Sequence, residues 1–189
     1  MGMRSLALAL VVAAVAAPAA VAQEPEPDPL LPSPGACPGS NDVEAHYGLQ
    51  RRSMHCLVNH VRKEAGRRHL RSSAPLRHSA TYKARRIAAC KRFTHSPCGD
   101  ELAAPFHEAD VLKGRPWFVG ENLGWKKVDE ATAFALLSAW LGSKSHRRVL
   151  LDRRFTHLGV RRRRLRLDDL PHGIVIWVVH LGTPKRKRG

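Results

Sequence analysis

The chain has no nucleophile elbow (GxSxG), no HExxH helix, no P-loop and no dinucleotide fingerprint. Those absences remove the openly written signatures of serine hydrolases, zincin proteases, nucleotide hydrolases and dehydrogenases. It has no CxxC pair either, so its four cysteines do not read as a zinc-binding set. Acidic residues are scarce, 16 against 32 Lys and Arg, for a formal net charge of +16. A surface with that bias attracts polyanions such as anionic cell-wall polymers, lipid headgroups or extracellular DNA. Aromatic residues make up only 6% and none interleaves with the basic runs. No stacking platform for single-stranded nucleic acid is therefore expected, and no dedicated nucleic-acid binding. No internal repeat is visible, and past residue 22 no apolar run is long enough to cross a membrane.

What is present begins with a targeting pattern. Arg4 supplies a positive start, Leu6 to Val15 an apolar run, and Ala20-Val21-Ala22 a small-x-small cleavage site. Residues 1–22 are expected to be a signal peptide and the protein to be secreted. Pro18 interrupts the apolar stretch, which argues against a membrane anchor, and no Cys follows the small residues as a lipoprotein would need. Residues 23–42, rich in Pro and carrying Glu24, Glu26, Asp28 and Asp42 without any Lys or Arg, read as an acidic linker. A single domain is expected over 43–183, followed by a basic tail at 184–189. In an oxidising compartment, Cys37, Cys56, Cys90 and Cys98 form an even, disulfide-competent set. Three pairings are open. Cys37 with Cys56 would pin the N-terminal arm on the first helix, and Cys90 with Cys98 would tie a helix end to the loop beyond it.

Periodicity places helices first and strands last. Met54, Leu57, Val58, Val61 and Ala65 recur at helical spacing within 47–68, with Gly66 as a stop. Leu76, Ala80, Ala84, Ile87 and Ala88 make a narrow stripe on a second helix over 75–93, with Pro75 in its first turn. Residues 94–128, punctuated by Gly and Pro, read mainly as loop with a short helix near 104–112. Asp129 can cap a helix through Leu141, and Ser143 or Ser145 a shorter one carrying His146 to Leu151. Strands over 156–165 and 174–181 flank a hairpin at 168–173. This order argues for α+β architecture.

Five segments then line up. They are Leu57-Val58-Asn59-His60-Val61-Arg62, Phe93-Thr94-His95-Ser96-Pro97-Cys98-Gly99, Val119-Gly120-Glu121-Asn122-Leu123, the Ala139 to His146 stretch, and Phe155-Thr156-His157-Leu158-Gly159-Val160. Together they resemble the CAP superfamily (cysteine-rich secretory proteins, antigen 5 and pathogenesis-related 1; the SCP domain), in its secreted bacterial branch. The resemblance covers roughly residues 52–183. It implies a three-layer α-β-α sandwich around a small, mostly antiparallel sheet. It also implies a cleft lined by two His and two Glu, of which His95, Glu121 and His146 match by motif. The second Glu has no counterpart. Its neighbourhood reads Trp140-Leu141-Gly142-Ser143, and Glu108 lies elsewhere in the pattern.

Two neutral imidazoles and a carboxylate suit Zn²⁺ or another divalent cation, with open positions for water. Glu121 would be the candidate general base if any reaction occurred. The plainer alternative is that His and Glu hydrogen-bond one another across the cleft. Gly120 is expected to supply backbone shape, Asn122 to bond backbone groups, and Ser143 to cap a helix. Trp125, Trp140 and Trp177 are expected in the core or cleft wall. Among the remaining histidines, His157 and His180 fall on or near strands that can approach the cleft, and His46, His55, His60, His69, His78 and His107 are expected to be exposed. No role follows for any of them.

Arg161, Arg162, Arg163 and Arg164, with Lys185, Arg186, Lys187 and Arg188, are candidates for a polyanion-binding stripe. The resulting expectation is a secreted binding protein whose cleft can hold a divalent cation and whose ligand is a lipid, peptide or glycan. A metal-dependent extracellular hydrolase and a basic surface protein for anionic cell-wall polymer are the alternatives.

Overall fold

The computed structural model describes residues 27–111, 117–167 and 170–184. The expected signal peptide, the first two hairpin residues and the tail from Lys185 onward lie outside them. Five helices and four strands follow one another as α1 (Tyr47–Glu64), β1 (Arg71–Ser72), α2 (Ala74–Cys90), α3 (Ala104–Glu108), β2 (Trp117–Lys127), α4 (Ala133–Gly142), α5 (Lys144–Leu151), β3 (His157–Leu167) and β4 (Leu170–Pro184). The strands form one sheet in the order β1-β3-β4-β2, with β1 parallel to β3 and the other pairs antiparallel.

Strand alternation assigns each sheet residue to a layer. Leu158, Val160, Val175, Trp177, Val179 and Leu181 pack with Met54, Leu57, Val58 and Val61 of α1 and with Leu136, Leu137 and Trp140 of α4. The opposite face presents Leu123, Ile174, Ile176 and Val178 to Ala80, Ala84 and Ile87 of α2. The result is the expected three-layer α-β-α sandwich. α2 is seated directly on the sheet, because a Cβ at Gly159 would fall 2.2 Å from the Arg77 nitrogen. Its start is set by Ser73, whose hydroxyl accepts from the Leu76 amide at 3.3 Å.

The first layer is bolted by a buried arginine. Arg62 is fully buried and donates to the carbonyls of Arg68, Leu150, Asp152 and Phe155 at 2.6–3.4 Å. It thereby joins α1 to the end of α5 and the entry to β3. Burial, then neighbouring Arg67, lowers its pKa to about 10 against the opposing pull of Asp152.

Both anticipated disulfides are present, Cys37–Cys56 and Cys90–Cys98. Within the acidic N-terminal stretch, Leu30 and Leu31 pack against the main core and Asp28 pairs with Arg147 of α5.

Several local expectations need correction. Residues 117–127, read as loop, are an eleven-residue strand. The glycines that suggested loop are positions of close approach within it. A Cβ at Gly120 would lie 2.7 Å from the Phe155 ring, and one at Gly124 would lie 2.6 Å from Leu136. Thr132, not Asp129, caps α4, accepting from the Ala135 amide at 3.0 Å. α2 ends at Cys90 because Lys91 turns left-handed, with φ 49°. Trp125 is 46% exposed, outside the core. His55 and His60 are half-buried, not exposed.

Candidate functional site

The site grows from β2. Glu121 sits opposite His180 of β4 in the register, and both point toward α2. That helix contributes Ser79 and Lys83 on its buried side. The loop beyond α2, held by Cys90–Cys98, delivers His95. Lys83 Nζ donates to the His95 carbonyl and fixes the loop's path.

Glu121 is the hub. Its Oε1 lies 2.6 Å from His95 Nδ1, and its Oε2 lies 2.7 Å from His180 Nε2 and 3.5 Å from Lys83 Nζ. The side chains of Lys83 and His180 are inaccessible, while that of His95 is 54% exposed. Burial raises the Glu121 pKa, but hydrogen bonds from His180 and His95 and the charge of Lys83 outweigh it, bringing the value to about 2. An ionised carboxylate only accepts, so His95 Nδ1 and His180 Nε2 both carry protons.

Burial lowers the His180 pKa against the pull of Glu121, so this ring is neutral. Its Nδ1 lies 2.6 Å from Ser79 Oγ, which also reaches the Leu76 carbonyl at 2.9 Å. A Ser–His–Glu chain results, yet Ser79 and His180 are both fully buried. No substrate carbonyl reaches that hydroxyl, and the chain is a polar anchor inside the fold.

His146 arrives by another route. Asn122 lies on the opposite face of β2 from Glu121, and its amide nitrogen donates to the His146 carbonyl at 3.1 Å. Ser143 occupies the N-cap position of α5 without a side-chain bond to a backbone amide. Its Oγ instead lies 2.9 Å from His146 Nδ1. Burial, then the nearby His95, lowers the His146 pKa and favours its neutral form. The structure thus joins His95 to Glu121 directly and sets His146 within electrostatic reach of His95, with its ring bonded to Ser143.

Among the described residues, no three His, Cys, Asp or Glu side chains form a metal-holding group. The donor chemistry fits a divalent cation in a narrower way. His95 Nδ1 donates to Glu121, which leaves Nε2 of that ring as its outward nitrogen; His146 offers Nε2 in the same way in the tautomer whose Nδ1 donates to Ser143 Oγ. Glu121 then stands behind His95 as the carboxylate that orients a ligating imidazole.

Beside this network opens a cleft of about 500 Å³ lined by His95, Leu102, Ala103, Phe106, Val119, Gly120, Glu121 and Val149. Its wall is apolar except at the His95–Glu121 end. The close approach at Gly120 to Phe155 and Val149 sets β2 against α5 there.

Sequence reasoning missed Lys83 as a member of the site and brought His180 near the cleft without a role, while His157 lies away from it. Both site residues left a signal. Lys83 falls on the α2 stripe three residues after Ala80 and four before Ile87, and His180 continues the same-face alternation of Ile174, Ile176 and Val178.

The arginine run of β3 divides in two. Arg161 lies over Tyr47 at 4.7 Å, and Arg162 lies over Trp177 at 5.9 Å while donating to the Val43 carbonyl. Arg163 is half-buried and Arg164 exposed. Lys185, Arg186, Lys187 and Arg188 lie outside the described residues.

Residues 56–180 match the CAP family, described as the cysteine-rich secretory protein family. The chain belongs to this family. None of the curated proteins matches the chain. Three solved structures share the CAP fold with it. An outer surface protein from Borrelia burgdorferi aligns at 23% identity and TM-score 0.55, over 70% of this chain and 90% of its own. An extracellular protein containing an SCP domain from Bacillus anthracis aligns at 22% identity and TM-score 0.54, over 70% of this chain and 40% of its own. A cysteine-rich secretory protein from Staphylococcus aureus aligns at 18% identity and TM-score 0.54, over 74% of this chain and 40% of its own. At these identities the likeness is one of fold. The chain carries a CAP domain with two disulfides, and two of these structural neighbours are described as surface or extracellular proteins. Among the described residues no helix is long and apolar enough to cross a membrane.

Proposed function

We propose that this CAP domain is a secreted binding protein whose cleft takes an amphiphilic ligand, apolar body inward and polar end at His95. The observation that carries this reading is the one-sided polarity of the cleft. Leu102, Ala103, Phe106, Val119 and Val149 wall the space, and His95 and Glu121 mark one end. A bare glycan would leave hydroxyl groups unpaired against that wall. A lipid or an apolar peptide side chain would not, and 500 Å³ is a small-molecule volume.

A divalent cation, zinc by donor type, would be held by His95 and His146, with Glu121 and Ser143 orienting the rings. When bound, it would supply an electrophilic centre for the ligand's polar end. Hydrolysis with Glu121 as general base is the weaker reading. Both of its oxygens are committed, and a pKa of about 2 is far from that of an effective base near neutral pH.

Calorimetric titration with dodecanoate, with and without zinc, tests the proposal. Leu102 is exposed at the cleft, so Leu102→Asp is expected to fold normally and to weaken dodecanoate binding by about tenfold or more. His95→Ala/His146→Ala is expected to abolish saturable zinc binding. Dodecanoate binding equal in wild type and Leu102→Asp would refute the cleft assignment. Zinc binding unchanged in the double variant would refute the cation assignment.

A further inference from the structure

At the opposite edge of the sheet from the cleft, a second concavity of about 400 Å³ is lined by Arg68, His69, Arg71, Thr156, His157 and Thr183. Among the described residues, no carboxylate contributes to that lining. We propose that it is a binding site for phosphate-rich anions, of the condensed or repeating kind.

The backbone that bears the donors is firmly held. The segment after α1 is held from beneath at three points. Arg62 donates to the Arg68 carbonyl at 2.9 Å, Arg67 Nε donates to the Leu151 carbonyl at 3.1 Å, and Asn59 bonds both backbone groups of Leu70, at 2.8 and 3.1 Å. Leu70 is buried between exposed His69 and Arg71, so the inner side of the segment is locked while the outer side carries the cations. Arg71 is fixed again by pairing of β1 with β3, opposite His157.

The floor is equally set. Thr183 Oγ1 donates to the Arg154 carbonyl, and Thr156 Oγ1 lies 3.2 Å from Thr183 Oγ1 and 2.8 Å from His157 Nδ1. The threonines thus spend their hydrogen bonds within the site and shape it. The guanidinium groups of Arg68 and Arg71 supply the charge-assisted donors, with the ring of His69 beside them. Two guanidinium forks in one concavity exceed what a single carboxylate can satisfy. They suit an anion with several adjacent oxyanion centres.

This site is separate from the cleft reading and survives its failure. The test is binding of pyrophosphate and of long-chain polyphosphate to the full chain, by calorimetry at low and physiological salt. The variants are Arg68→Ser/Arg71→Ser and, as a control of equal charge change, Arg163→Ser/Arg164→Ser on β3. Unchanged melting curves would verify that both fold. Arg68→Ser/Arg71→Ser is expected to lose about tenfold or more in affinity for both probes, and the control less than about threefold. Loss for pyrophosphate as well as polymer assigns the site to the phosphate group itself. Loss for polymer alone assigns it to an extended polyphosphate spanning the concavity. Equal loss in the two variants would mean diffuse surface attraction and would overturn the proposal. So would equally tight, equally Arg68/Arg71-dependent binding of poly-glutamate, since the site would then not select phosphate.

Discussion

Among the described residues, an arginine and a lysine are buried, one in each helical layer, and they do different work. Arg62, under α1, spends its donors on backbone carbonyls of three later segments. Lys83, under α2, lies 3.5 Å from a carboxylate and holds the loop that bears His95. The first is a bolt whose partners do not titrate. The second belongs to a charged network one side chain away from a cleft. Cleft chemistry therefore lies on the α2 face, where the fold has accepted buried charge, and the α1 face supplies rigidity.

The sharpest way to break that contrast is to remove each cation in turn. Lys83→Met leaves the Glu121 carboxylate short of its compensating charge and is expected to cost roughly 3–5 kcal/mol at neutral pH. Adding Glu121→Gln should recover part of that loss, and a double-mutant cycle by urea unfolding measures the coupling. Arg62→Met strands several carbonyls and is expected to cost roughly 2–4 kcal/mol. No Glu121 variant should alter that cost. Coupling of Arg62 to Glu121 as strong as that of Lys83 would dissolve the distinction.

Acid supplies the next effect. The Glu121 pKa falls from 4.5 to about 2 on folding. Its stabilisation is thus fully present above pH 4.5 and is lost as pH falls toward 2. That limb amounts to about 3 kcal/mol. The His180 pKa is lowered from 6.5. The unfolded state therefore binds that proton first, and a further loss of stability begins as pH drops through 6.5. Unfolding curves across this range should show the steep limb in wild type and its absence in Glu121→Gln.

The smallest effect belongs to the seam between the faces. Gly120→Ala drives a methyl group to 2.7 Å from the Phe155 ring and is expected to cost roughly 1–3 kcal/mol. Phe155→Leu in the same chain should return part of it.

Much of the fold was readable because apolar periodicity and family-like segments reinforced one another. Helices α1, α2, α4 and α5 and strands β3 and β4 were anticipated on that basis, as was the layer architecture. Strand β2 was not, since a glycine that permits close packing inside a strand looks in sequence like one that makes a turn. In the site, His95 and Glu121 could be named because they stand in contiguous motifs. Lys83 could not, and His180 could be brought near the cleft only without a role, because their importance comes from what α2 and β4 place opposite them. A lysine in a helical stripe and a histidine in an apolar strand become partners of Glu121 only once the sheet register is fixed. The two β3 arginines that fold back on Tyr47 and Trp177 were unreadable for the same reason.

Glu121 is a saturated, ionised anchor, and the His95 imidazole is the group it leaves at the cleft. A carbon NMR titration of the Glu121 side-chain carboxyl in the folded protein tests it most directly. The expected result is a midpoint near 2, or no titration before acid unfolding. A midpoint at the ordinary 4.5 would contradict it, because a carboxylate held by two imidazole donors and Lys83 cannot take up a proton so easily.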